Sequence, residues 1–220
     1  MLAKLIIKEL KQELRSKDII ISMLIFSISI TLSFQFIFSI SSFNDRNIVV
    51  SLIWLVYIFS SILGLYKIVN SEREMGGFTI LLSSPIERGL IYLAKLISFF
   101  IFIVIIQIIS LPIFILFYNI NIDNIGILSL FPFLVNNWAL AAAGILISAI
   151  GYQTRAGEIV IPIIFFPIIS PILIASSKIS LSIMNGEQIS DYSFWVLISV
   201  TFCLIFTAAG YILFDYICEE

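Results

Sequence analysis

Residues Tyr92–Tyr118 read YLAKLISFFIFIVIIQIISLPIFILFY, a nearly uninterrupted apolar run. A helix rises ~1.5 Å per residue, so about 20 apolar residues cross the ~30 Å of bilayer hydrocarbon, and this run is long enough. Working outward, five more runs of that kind follow the same rule: Ile19–Ser42, Ile48–Val69, Ile125–Ile150, Ile159–Ser177 and Ser193–Tyr216. Isoleucine and valine favour strands in water, but an open strand in lipid cannot satisfy its backbone, so runs of this length are helices. The expected fold is therefore an all-α integral membrane protein with six transmembrane helices, one membrane domain over residues 1–220. Composition agrees. The chain is 60% hydrophobic and 12% charged with mean hydropathy +1.14, whereas a soluble domain is roughly 25% charged.

Orientation follows from the lysines and arginines. Lys4, Lys8, Lys11, Arg15 and Lys17 precede the first span, Lys67, Arg73, Arg88 and Lys95 surround the loop after the second, and Arg155 follows the fourth. Only Arg46 and Lys178 fall on the other side. The positive-inside rule places both termini in the cytoplasm of a bacterial inner membrane, or on the matrix side of a mitochondrial one. The first span is longer than the ~7–15-residue apolar core of a cleaved signal and lacks a clear cleavage site, so it is expected to stay as an anchor. The outer loops, Phe43–Asn47, Asn119–Asn124 and Lys178–Tyr192, are too short to fold as domains.

Residues 1–18 carry a helical period, with Ile6, Ile7, Leu10 and Leu14 on one side and Lys4, Lys8, Lys11 and Arg15 on the other. Such a helix lies in the membrane interface against the lipids. It is either a plain anchor or an elbow that also touches a cytoplasmic partner. Glu9 and Glu13, spaced i,i+4, are expected to pair with neighbouring lysines.

Much chemistry is excluded. The chain has no histidine, and its two cysteines, Cys203 in the last span and Cys218 in the tail, are too differently placed to pair. Imidazole ligation of a metal or of haem iron is ruled out, a thiolate metal site is not expected, and no disulfide framework is implied. Neither phosphate-binding glycine motif occurs, so ATP binding and nucleotide chemistry belong to a partner. No nucleophile, base and orienter converge, so the chain is not read as an enzyme. Carboxylates cluster at span ends and in loops, which argues against a self-powered ion-coupled carrier.

What remains for a multi-span chain without a motor is to be moved by another subunit. The candidate is the polar island Asn70–Pro85, NSEREMGGFTILLSSP, within a segment 70–91 between the second and third spans. Phe78, Leu81 and Leu82 stand at i, i+3 and i+4 and give one apolar face. Gly76 and Gly77 interrupt the helix leaving the second span, Pro85 closes the short segment, and Glu72, Arg73 and Glu74 crowd its entrance. A short cytoplasmic coupling helix and a solvated loop both fit this pattern.

Two further features lie within spans. Pro162, Pro167 and Pro171 fall in the fifth span, where each removes a backbone donor at ~3 kcal/mol in an isolated helix. A kinked or broken helix is expected, either a hinge or a static kink, with Ser170 as an in-span donor. Asn136, Asn137 and Trp138 sit in the fourth span, as interhelical glue or as the lining of a substrate or partner path.

The run E-R-E-M-G-G-F-x-x-L-L-x-x-P, Glu72–Pro85, resembles the coupling segment of type-2 ABC exporter permeases, although Gly77 stands where a capping Ser or Thr is usual. Ile53–Leu65 (IWLVYIFSSILGL), Arg155–Gly157 (RAG) and Phe165–Ala175 (FFPIISPILIA) are similar, in order and spacing, to segments of the CcmB family of cytochrome c maturation permeases. The resemblance implies a membrane subunit moved by a CcmA-like ABC ATPase, with a CcmC-like haem-handling protein and a CcmE-like haem chaperone nearby. It also implies a homodimer of the permease in the lipid membrane. Haem would be a transported or handled ligand, not covalently bound, and no metal or nucleic acid is expected. Either haem is exported, or ATP hydrolysis releases the haem-loaded chaperone; the missing histidines lean toward release. The alternatives are a type-2 permease for a lipid, glycan or drug, and a non-transporting assembly scaffold.

Overall fold

The computed structural model describes residues 2–41, 46–75, 86–118, 130–154 and 157–217. Seven helices occur among them: α1 (Leu2–Ser16), α2 (Asp18–Ser41), α3 (Arg46–Met75), α4 (Arg88–Tyr118), α5 (Leu130–Gln153), α6 (Gly157–Met184) and α7 (Ile189–Ile217). Helices α2 to α7 are each long and apolar enough to cross a membrane, and no strand occurs among the described residues. The chain is thus a multi-pass membrane protein. The spans differ from expectation mainly at their ends. Helix α3 runs six residues beyond Val69, so Glu72, Arg73 and Glu74 belong to its last turns. Helix α6 continues to Met184, so Lys178 sits on a helix and not in an outer loop. Gly76, Gly77, Phe78, Leu81, Leu82 and Pro85, and with them the expected coupling helix, lie outside the described residues.

Helix α5 is the axis of the bundle, packed against α3, α4, α6 and α7. Its sequence explains this place: Ala139, Ala141, Ala142, Ala143 and Gly144 are all buried, and small residues let helix backbones approach closely in lipid. A Cβ on Gly144 would lie 2.9 Å from Leu65 Cδ1, so α3 rests directly on that glycine. The outer helices bury narrower stripes. On α2 the fully buried positions are Met23, Ser27 and Thr31, four residues apart, which face α3, where the Ser60 hydroxyl donates to the Met23 carbonyl at 2.9 Å. On α7 only Tyr192, Ser199, Gly210 and Phe214 are buried. Leu116, Leu197 and Leu204 point outward, as lipid-facing residues do.

Of the two forms expected at the α6 prolines, a kink or a break, the break does not occur. The helix runs continuously through Pro162, Pro167 and Pro171. A proline removes only the bond to the carbonyl four residues back, and that acceptor can be served from elsewhere. Pro171 frees the Pro167 carbonyl, and Ser170 Oγ donates to it at 2.8 Å. Pro167 and Pro171 also face outward while Phe165, Ile169 and Ile172 carry the packing, so the rings do not disturb the core.

Candidate functional site

The residues at the root of the island are gathered at one end of the bundle, where α2, α4 and α6 begin and α3, α5 and α7 finish. Lys95 lies two turns into α4 and is 5% exposed. Its ammonium contacts the Glu72 carboxylate at the end of α3 directly and lies 3.6 Å from Glu9 Oε1 on α1. A lone ammonium at this depth would be costly, and two carboxylates from different helices offset the loss of water. Lys95 therefore ties three helices that are far apart in sequence. Glu9 keeps a local pair with Lys8 at 3.7 Å, but its inward partner is Lys95.

Arg73, one residue on, turns toward α5. Its Nη2 donates to the carbonyls of Gly151 at 2.7 Å and Tyr152 at 3.1 Å, and its guanidinium lies 5.8 Å from the Tyr152 ring centroid. These are among the last carbonyls of α5, which have no partner inside the helix, and a cation there also meets the negative end of the helix dipole. The same device recurs beside it. Gln153 Nε2 donates to the Ile217 carbonyl at 2.7 Å and Arg88 Nη1 to the Asp215 carbonyl at 2.9 Å, which caps α7 from two sides.

Helix α1 joins this end-plate through its acidic edge. Leu10 packs on the core, while Ile7 and Leu14 stay exposed. Glu13, expected to pair with a lysine along α1, instead accepts the Ile20 amide at 2.8 Å and caps the start of α2. Burial pushes its carboxyl up, against the opposing pull of the Ile20 and Ile19 amides. Between the two helices Lys17 adopts φ 57°, and its amide reaches back to the Glu13 carbonyl at 2.6 Å, a left-handed helix stop usually filled by glycine. The ion pairs and Glu13 line a polar crevice of about 220 Å³ among α1, α2, α3 and α4.

The adjacent amides in α5 have separate fates. Asn137 and Gln107 exchange two hydrogen bonds between α5 and α4: Gln107 Nε2 donates at 2.9 Å and Asn137 Nδ2 at 2.5 Å. Trp138 Nε1 donates to Thr207 Oγ1 on α7 at 3.0 Å. Both are interhelical ties. Asn136 is 1% exposed, and neither its Nδ2 nor its Oδ1 has a partner. It lines an apolar cavity of about 180 Å³ at the other end of the bundle, between α3, α4, α5 and α6.

Sequence reading misses Lys95 and Gln107 as structural partners. Lys95 reads only as a positive charge near a loop, and Gln107 is absorbed into an apolar run. The signal for both is one polar residue inside a long apolar helix, where lipid leaves it no partner but another helix.

Among the described residues no group of histidine, cysteine, aspartate and glutamate is arranged to hold a metal. The family model described as CcmB protein matches residues 1–210 of the chain. No curated protein matches it.

Proposed function

The chain belongs to the CcmB family, the membrane permease component of the haem-export ABC system of cytochrome c maturation, and from that premise we propose that it is moved by a partner ATPase at the island rooted on Glu72 and Arg73. The observation that carries this reading is Lys95, held between Glu72 on α3 and Glu9 on α1, beside an Arg73 that caps α5. A push on residues 76–85 reaches the end of α3 first. From there it has two stiff routes: through Lys95 to α1 and α4, and through the guanidinium of Arg73 to the axial helix α5. Buried charge pairs suit such a relay, because they have strong directional preference and little slack.

The remaining parts follow from the same reading. The charged end faces the cytoplasm, since ten of the twelve basic residues belong to that end by chain order. ATP is bound by a CcmA-like partner, and CcmC-like and CcmE-like proteins act with the complex. Two copies of this permease pair in the membrane to serve two motor subunits. Helix α6 is the bending element, because its prolines already lack the backbone bonds that bending would break. Release of the haem-loaded chaperone is favoured over passage of haem, since the chain offers no histidine as an axial ligand.

The test measures c-type cytochromes and haem-loaded chaperone in cells carrying Glu72→Lys, Lys95→Glu, or both exchanges together, at matched membrane levels of the protein. Loss in each single variant with recovery in the pair supports the relay. Accumulated haem-loaded chaperone in the single variants assigns the step to release, and its absence assigns the step to haem delivery. Normal cytochrome content in the single variants removes the relay.

A further inference from the structure

Helix α1 carries three stripes of side chains, set about 120° apart around its axis. Glu9 and Glu13 turn inward, to Lys95 and to the Ile20 amide. Ile7 and Leu14, 50% and 67% exposed, form an outward apolar stripe. Lys4, Lys8, Lys11 and Arg15 form the third, and all four are exposed. Lys4, Lys11 and Arg15 make no ion pair among the described residues. The helix stops at Lys17, directly before α2 begins as a membrane span, so it lies where hydrocarbon gives way to head groups. One neighbour must therefore meet carbon along one stripe and four cations along the next. A bilayer surface does so, with acyl carbon beneath its phosphates, whereas an acidic protein face would leave Ile7 and Leu14 in water.

Glu9 connects this surface to the interior. Its Oε1 lies 3.7 Å from Lys8 Nζ and 3.6 Å from Lys95 Nζ, and those two lysine side chains are 49% and 5% exposed. A single carboxylate oxygen is thus shared between a solvated cation and a buried one. An anion that takes Lys8 leaves that oxygen to Lys95, where less water competes for it.

We propose that α1 is a clamp for anionic phospholipid. Phosphodiester head groups of net negative charge bind Lys4, Lys8, Lys11 and Arg15 and, by drawing Lys8 away, commit Glu9 to Lys95. The charge of the leaflet thereby sets how firmly α1 holds the end of α3 and the start of α4. A zwitterionic head group brings its own ammonium beside the phosphate and competes poorly for Lys8. The assignment does not depend on the ATPase partner, and its test uses this chain alone.

The full-length chain is placed in phosphatidylcholine nanodiscs with a trace of phosphatidylglycerol or phosphatidylcholine, each carrying a diazirine at the same acyl carbon close to the head group. After irradiation, adducts on residues 2–16 are normalised to those on residues 194–205 of α7, an uncharged stretch. The anionic probe is expected to label α1 about fivefold more than the zwitterionic one at ~0.15 M salt, and about equally at ~1 M, where screening acts within ~3 Å. Lys4→Gln, Lys11→Gln and Arg15→Gln together, which change only exposed side chains, should remove the preference. The link through Glu9 is read by hydrogen exchange at residues 67–75, the end of α3, in pure phosphatidylcholine and in an equal mixture with phosphatidylglycerol. The anionic discs should slow exchange about threefold in the wild type. Glu9→Gln should lose that slowing, and Lys8→Gln should exchange slowly in both. Equal labelling by the two probes at the lower salt overturns the proposal, as does an undiminished preference in the triple variant. Wild-type exchange at the end of α3 that ignores lipid charge overturns the clamp.

Discussion

The two ends of this bundle solve the problem of polar groups in lipid in opposite ways. At the charged end, Lys95, Glu72, Glu9, Arg73 and Glu13 are engaged with partners on other helices or on helix ends. At the other end, some 15 residues or ~22 Å along α5, the amide of Asn136 is buried with nothing to bond. The crevice volumes are similar, about 220 Å³ and about 180 Å³, so size does not separate them. Charge does. Ion pairs and helix-end caps join separate helices at the first, whereas the second is walled by aromatic and aliphatic side chains whose neutral polar groups are paired, the Asn136 amide excepted.

The comparison breaks most sharply at Lys95. Lys95→Met leaves Glu9 and Glu72 facing each other without a cation, and should destabilise the purified protein by about 3–5 kcal/mol in denaturant unfolding. Neutralising all three, as Glu9→Gln, Glu72→Gln and Lys95→Met together, should restore much of that loss. If the triple variant is as unstable as the single one, the carboxylates are not what Lys95 neutralises.

The neighbouring amides give the next test, with opposite signs. Asn136→Leu removes an unpaired buried group and should stabilise the protein by about 1–3 kcal/mol. Asn137→Leu strands the Gln107 amide and should destabilise by a similar amount. Thermal unfolding of the two variants in parallel measures both, and equal effects would erase the distinction between adjacent residues.

The two smaller effects lie at the α1–α2 junction. Lys17→Gly relieves a left-handed backbone and should stabilise by about 1 kcal/mol, read as a higher melting temperature. Glu13 should give a shallow pH dependence. Its folded carboxyl titrates above the ordinary value of 4.5, so the folded state binds its proton more tightly than the unfolded chain. The stability this contributes is complete below 4.5 and is lost as pH rises through the raised folded value. Glu13→Gln should remove that dependence from a pH series of unfolding curves.

Much of the fold is legible in the residues alone. Six spans and a basic amphipathic helix in front of them follow from run length and composition. The charged entrance to the island is legible as well, because Glu72 and Arg73 stand out at the end of an apolar run. Their partners are not. Glu9 and Glu13 sit beside lysines on the same helix, and local spacing points to those lysines, yet Lys95 and the start of α2 provide more buried partners. The α6 prolines predict a kink or a break by propensity alone; the helix is unbroken, and the Ser170 hydroxyl serves the carbonyl that Pro171 frees.

By itself, then, the sequence determined a multi-pass membrane protein with six spans, because lipid leaves the backbone no alternative to helices of that length. Only the tertiary structure decided which polar residue meets which. A helical period tells which face a side chain occupies but not which helix stands opposite, and so Asn137 finds Gln107 while Asn136, one residue earlier, finds no side-chain or backbone partner.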